Sequence, residues 1–143
     1  MSKLIYKLYF SAKDGACKFD AANVGATIDS CFNVKEQDES ALEDAVATIG
    51  PISVAMDAHL PSFRLYKQGI YHDRMCSTTK LDHGVLAVGY HNEPADVKSK
   101  GNYWIVRNSW GTTWGNAGYF WLAKDKHNAC GIATFASYPV AAT

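Results

Sequence analysis

Two apolar segments, GVLAVGY (84–90) and YWIVR at Tyr103–Arg107, stand on either side of the polar stretch NEPADVKSKG (92–101). No other feature limits the fold as much. The stretch between them is rich in turn formers, so the two segments read as the strands of a long antiparallel hairpin. The first is apolar at nearly every position and reads as buried on both sides. ISVAMD (52–57) and GYFWLA (118–123) read as two further strands. One helix is clear, over about residues 40–49. Ser40 and Glu43 have the spacing of a capping box. Leu42, Ala45, Val46 and Ile49 recur as one apolar stripe, and Gly50 followed by Pro51 stops the helix. Short strands, Gly-rich turns and one helix predict an α+β, mainly β domain, built as an antiparallel barrel or sandwich.

The chain has 143 residues, the size of a single domain. With 48% apolar and 20% charged residues it has an ordinary globular balance, so a core is expected. The formal net charge is zero and no Lys/Arg stripe stands out, which excludes a nucleic-acid footprint. The opening MSKLIYKLYF is broken by Lys3 and Lys7 and is too short for a signal core or a membrane span. Cys17, Cys31, Cys76 and Cys130 include no Cys-x-x-Cys pair, so a zinc ribbon is not expected. An even number of cysteines suits disulfides and an oxidising compartment, with the pairing open.

Five histidines are present: His59, His72, His83, His91 and His127. A histidine alone usually reports a surface or a satisfied core. His83 differs, because it stands at the mouth of an apolar strand beside Gly84. The hairpin register places it opposite about residue 109, next to Asn108. An asparagine there can fix the imidazole tautomer and leave the other ring nitrogen free for proton transfer. Asn108 also reads as a strand-end turn residue. Trp110 beside the pair would exclude water from it, and Trp114 reads as a core anchor. Gly111, Gly115 and Gly118 mark turns where no side chain fits. His72, Asp73, Asp82 and His83 lie close in sequence but not at a recognised ligand spacing, so no metal is expected.

The blocks LDHGVLAVGY (81–90) and YWIVRNSWGTTWGNAGYFWLAKDKHNACGIATFASYPV (103–140), with GPISVAMDA (50–58) and YKQGIYHD (66–73), closely resemble papain-like cysteine peptidases. Within that family they are most similar to the cathepsin L group. The resemblance covers about residues 9–143 and leaves 1–8 as an atypical segment. It implies the right-hand, β-barrel half of the papain-like fold, with the helical half that carries the nucleophile absent. It implies that His83 is the general base and acid of a Cys-His-Asn system, that Asn108 orients it, and that Trp110 shields the pair. It places Asp82 at the border of the substrate cleft, and Ala55, Leu81 and Phe135 around the pocket for the substrate's second residue. Phe135 is larger than the family's usual residue, which implies a shallower pocket. It implies a Cys76–Cys130 disulfide, and a partner for Cys17 in the absent half. Cys31 has no counterpart and reads as an unpaired buried thiol.

No Cys-Trp pair occurs, and Cys31, in SCFN, resembles the nucleophile region poorly. The chain alone is therefore expected not to hydrolyse peptides. The resemblance implies peptide or protein substrates, a cystatin-like inhibitor as a partner, no cofactor, and a lysosomal or secreted location. Loss of the first half would uncover an apolar face and favour self-association, with Leu4, Ile5, Tyr6, Leu8 and Tyr9 covering part of it. Two alternatives stand beside this reading. One is a truncated relative that binds without catalysis. The other is half of a silicatein-like protein, in which serine replaces the cysteine.

Overall fold

A computed structural model describes residues 14–17, 19–94 and 101–141. The expected 1–8 segment, its neighbours through residue 13 and most of the long hairpin loop lie outside the described residues. Seven strands make one sheet: β1 (Ile28–Asn33), β2 (Ile52–Met56), β3 (Ile70–Tyr71), β4 (His83–His91), β5 (Tyr103–Arg107), β6 (Tyr119–Ala123) and β7 (Ala136–Ala141). Their order is β1-β7-β2-β4-β5-β6-β3. All pairs are antiparallel except β3 with β6. The mainly β architecture with one long helix is the expected one, but the sheet is not closed into a barrel. Its two ends differ in kind: β3 is a two-residue parallel stub, and among the described residues β1 pairs with β7 alone.

The central hairpin is β4 with β5. Leu86 pairs with Arg107 and His91 with Tyr103, one to two positions later than the expected register. An irregularity between Ala87 and Gly89 shifts the ladder, as an extra residue in one strand does. In β4, Val85 and Ala87 are buried while Leu86 and Val88 are half-buried and Gly84 is exposed. Only one face of the strand is therefore covered, against the expectation of two. The opposite face looks into an open hollow of about 510 Å³ bordered by Ser53, Gly84, Leu86 and Arg107. Three strands, β1, β3 and β7, were not expected. All six residues of β1 are exposed, so they carry no burial signal in the sequence.

The helix α1 (Glu39–Thr48) packs on β2 and β4 through Leu42, Ala45 and Val46. Its cap is Asp38, whose Oδ1 accepts from Ala41 N–H at 3.0 Å, so the expected Ser40/Glu43 capping box does not form. A carboxylate at this end accepts a backbone N–H and also meets the positive end of the helix dipole. Glu43 turns elsewhere, to Asn92 Nδ2 at 2.7 Å and Lys124 Nζ at 2.5 Å. Ile49 is 54% exposed at the C-cap and drops out of the apolar stripe.

The core is built from alternate strand residues: Ile52, Val54 and Met56 of β2, Trp104 and Val106 of β5, Phe120 and Leu122 of β6. A short helix α2 (Pro61–Arg64) adds Phe63, which is fully buried. Lys124 is buried among Glu43, Asp125 at 3.0 Å, and the rings of Tyr90 and Trp104. Burial works against its charge, but the hydrogen bonds it donates to both carboxylates prevail and raise its pKa. Among the described residues no helix is long and apolar enough to cross a membrane.

Candidate functional site

His83 opens β4 and Asn108 follows the last residue of β5, so the hairpin brings both to one end of the sheet. His83 Nε2 lies 2.8 Å from Asn108 Oδ1. The same oxygen accepts from Ser109 N–H at 2.7 Å. That second bond fixes the amide, because a flipped side chain would set an NH₂ against the Ser109 N–H. Oδ1 can only accept, so Nε2 of His83 carries the hydrogen and donates it. Nδ1 has no hydrogen-bond partner among the described residues and is left to exchange a proton. The Nδ2 of Asn108 is buried without a partner among the described residues.

The turn after Asn108 is closed by Asn108 N–H donating to Gly118 O at 2.9 Å. Gly115 and Gly118 both have positive φ, and a Cβ at Gly115 would sit 2.6 Å from Tyr119 O. Gly111 also has positive φ but faces open space, so conformation rather than crowding selects glycine there. Trp110 lies over the imidazole, ring centroids 5.1 Å apart and planes at 33°, yet is 39% exposed. It covers one face of the pair and leaves another open. Trp114 is half-buried and donates its indole N–H to Arg64 O at 2.9 Å.

Phe63 is the residue that sequence reading missed. Its ring meets Trp110 at 5.6 Å, Trp114 at 5.2 Å, Phe120 at 4.9 Å and Tyr71 at 5.3 Å. It is the floor under the tryptophan that covers His83. Phe63 stands in PSFR, too short a segment to show helical periodicity.

The other expected site residues stand near the end of β2 and just before β4 and β7. Ala55 pairs with Gly84 across β2–β4, and its N–H donates to Phe135 O at 2.9 Å, which sets Phe135 beside it. The Phe135 ring is 62% exposed. Leu81 lies against the 128–134 loop, since a Cβ on Gly131 would meet Leu81 Cδ2 at 2.5 Å. Asp82 Oδ1 accepts from Ala58 N–H at 2.8 Å, fastening the segment after β2 to the start of β4. Cys76 and Cys130 form a disulfide, Cα atoms 4.9 Å apart. It ties the loop before His83 to the loop before Phe135. Cys17 and Cys31 are both free and exposed. The expectation of a buried Cys31 thiol therefore fails: β1 is a sheet edge, with both faces open. Among the described residues no group of three or more His, Cys, Asp or Glu is arranged to hold a metal ion.

A histidine–carboxylate pair escaped notice although its Asp-x-His spacing is short. Asp57 is buried and lies 2.6 Å from Nδ1 of His59. Its other oxygen accepts from Ser77 N–H at 2.6 Å. Burial opposes the carboxylate charge, but the bonds from His59 and Ser77 outweigh it and lower the pKa of Asp57.

The family described as "Papain family cysteine protease" matches residues 3–140. The chain is 54% identical over 131 residues to the Procathepsin L of Mus musculus, covering 92% of this chain and 39% of that protein. It is 49% identical over 131 residues to a Cathepsin L-like protein of Caenorhabditis elegans, covering 92% and 38%. The digestive procathepsin L2 proteinase from Tenebrio molitor larval midgut superimposes with a TM-score of 0.83 at 43% identity. That match covers 92% of this chain and 40% of the solved one. The chain thus spans about two fifths of the length of these relatives.

Proposed function

Because the chain belongs to the papain family of cysteine proteases, we propose that it supplies the histidine and asparagine of a cathepsin L-like endopeptidase. The observation that carries this reading is the 2.8 Å bond from His83 Nε2 to a fixed Asn108 oxygen, with Nδ1 left open. In this assignment residues 9–143 form the half of the enzyme that holds the base. A cysteine thiol delivered by the other half gives its proton to His83 Nδ1, and the sulfur attacks the peptide carbonyl carbon. The C–N bond then breaks as the amine takes the proton from Nδ1. Water, deprotonated by the same nitrogen, releases the acyl group. Asn108 holds the ring in plane throughout, and Trp110 over Phe63 keeps water off one face of the bond.

Ala55, Leu81, Asp82 and Phe135 border the peptide in this reading. The exposed Phe135 ring, set beside Ala55, narrows the pocket for the substrate's second side chain. Asp82, which accepts from Ala58 N–H, and Leu81, which lies against Gly131, flank the peptide in the same reading. A cystatin-like inhibitor would occupy the same border, and the Cys76–Cys130 disulfide suits a lysosomal or secreted setting.

In this scheme the chain alone supplies no nucleophile: it has no Cys-Trp pair, and Cys31 lies on the edge strand β1, with β7 and β2 between it and β4. Incubating the purified chain with a Phe-Arg reporter peptide tests this directly. No cleavage is expected. Turnover that a thiol-alkylating epoxide abolishes would sink the reading.

A further inference from the structure

Glu39, the first residue of α1, does more than begin a helix. Its carboxylate gathers N–H groups from segments far along the chain. Oε2 accepts from the indole N–H of Trp104 and the backbone N–H of Asp125, both at 3.0 Å, and Oε1 accepts from the backbone N–H of Asn128 at 2.8 Å. Trp104 is fully buried, so its N–H needs a partner inside the protein. The other two donors belong to the turn that follows Lys124. Asp125, His127, Asn128 and Cys130 in that turn all have φ between 54° and 58°. The left-handed region is unfavourable for residues with a Cβ, and such a run persists only where its surroundings fix it. Glu39 fixes its first part and the Cys76–Cys130 disulfide its last.

From that turn the hold continues to Phe135. Asn128 is buried; its Oδ1 accepts from Ala133 N–H at 2.8 Å and its Nδ2 donates to Thr134 Oγ1 at 2.8 Å. Thr134 Oγ1 donates in turn to Thr78 O at 2.6 Å, on the loop that precedes Leu81 and Asp82. Gln37, just ahead of Glu39, donates its N–H to Ala133 O at 2.8 Å. Asn128 thus links the Glu39 carboxylate directly to the residue before Phe135. The Phe135 ring is largely exposed, so its backbone decides where it stands. Ala55 holds the Phe135 carbonyl, and Glu39 with Asn128 holds the approach to it.

We infer that Glu39 is a positioning residue for the pocket wall that Phe135 forms, and so sets which second side chain of a substrate fits. It touches no substrate and acts through Asn128. The selectivity rests on the peptidase reading; the hold on Phe135 rests on the hydrogen bonds alone. Both carboxylate oxygens are needed for this task. A glutamine has a single accepting oxygen, and setting it against Trp104 and Asp125 leaves its NH₂ facing the Asn128 N–H.

Glu39→Gln in the whole chain tests the inference, followed by NMR. Val46→Ala is the control, because it weakens the buried face of α1 without touching the turn. In Glu39→Gln the Asn128 amide should exchange its hydrogen about fivefold faster while the Trp104 indole stays protected, as the loss of one hydrogen bond allows. The Phe135 ring signals should move in Glu39→Gln and not in Val46→Ala, and the His83 ring signals should move in neither. In a mixture with the cysteine-bearing half, the ratio of kcat/KM for a Phe-Arg and a Val-Arg reporter should change about threefold or more, through KM with kcat kept. Unmoved Phe135 signals in Glu39→Gln, equal movement in Val46→Ala, or an unchanged ratio in a mixture that cleaves would overturn the inference. The ring signals need no cleavage. A wild-type mixture that cleaves neither reporter refutes the peptidase reading, and the Phe135 signals then still decide whether Glu39 holds that wall.

Discussion

Replacing Phe63 by alanine should loosen both the core and the cover of His83. Phe63 is fully buried and touches four aromatic rings at 4.9 to 5.6 Å. Burying a side chain of this size contributes about 1.5–3 kcal/mol, and well-placed ring pairs add about 0.5–1.5 kcal/mol each, without simple additivity. The residual cavity adds a further cost, so the whole substitution should destabilise by about 4 kcal/mol. Urea unfolding followed by far-ultraviolet circular dichroism reads that number without relying on the tryptophans Phe63 contacts. Trp110→Ala is the control: the ring is 39% exposed, so its loss should cost about half as much. Because an apolar void of this kind stays dry and accepts small aromatics, benzene should partly restore the stability of Phe63→Ala. The His83 ring signals should also move as Trp110 loses its floor. A loss under about 1 kcal/mol, or His83 signals that do not move, would show that Phe63 is not the support inferred here.

Three further outcomes follow from the packing. Asp38→Ala should cost about 1 kcal/mol in urea unfolding, whereas Ser40→Ala should be near neutral, because Asp38 is the residue that caps α1. Lys124→Met should destabilise by about 1 kcal/mol near neutral pH, since it leaves Glu43 and Asp125 without their shared cation but in partial contact with water. The folded pKa of Lys124 is raised, so its contribution is complete below the unfolded value. It should fade as pH climbs past about 10.4 through the folded value, and thermal melts of the two chains should converge there. Reducing Cys76–Cys130, which closes a loop of 54 residues, should lower stability by about 4 kcal/mol in the chain-entropy account, with a matching fall in melting temperature.

Much of the candidate site was legible in sequence because its two residues sit at the ends of apolar strands. Gly84 to Tyr90 and Tyr103 to Arg107 announce a hairpin, and hairpin register alone brings His83 near Asn108. The register lies one to two positions from that expectation, one of them from the ladder irregularity between Ala87 and Gly89, without separating the pair. What escaped were contacts that no local pattern encodes. Strand β1 is exposed along its whole length, so nothing in its residues alternates with burial. Phe63 acts through rings distant in sequence. Asp38 and Ser40 are both good helix caps, and propensity cannot choose between them; the Ala41 N–H, donated to Asp38, does. The Asp57–His59 pair was readable as a spacing, but only burial of the carboxylate shows that the imidazole is held rather than loose.

The central claim is that His83 and Asn108 are the base and its orienter in a divided Cys-His-Asn system. The most direct measurement is reconstitution: the chain mixed with the cysteine-bearing first half of a cathepsin L-like peptidase, read by cleavage of a Phe-Arg reporter. Cleavage should appear only in the mixture. It should fall by about a thousandfold or more with His83→Ala and by a smaller factor with Asn108→Ala, since members of such a unit fail together. A reconstituted mixture that cleaves the reporter equally well with His83→Ala would contradict the account.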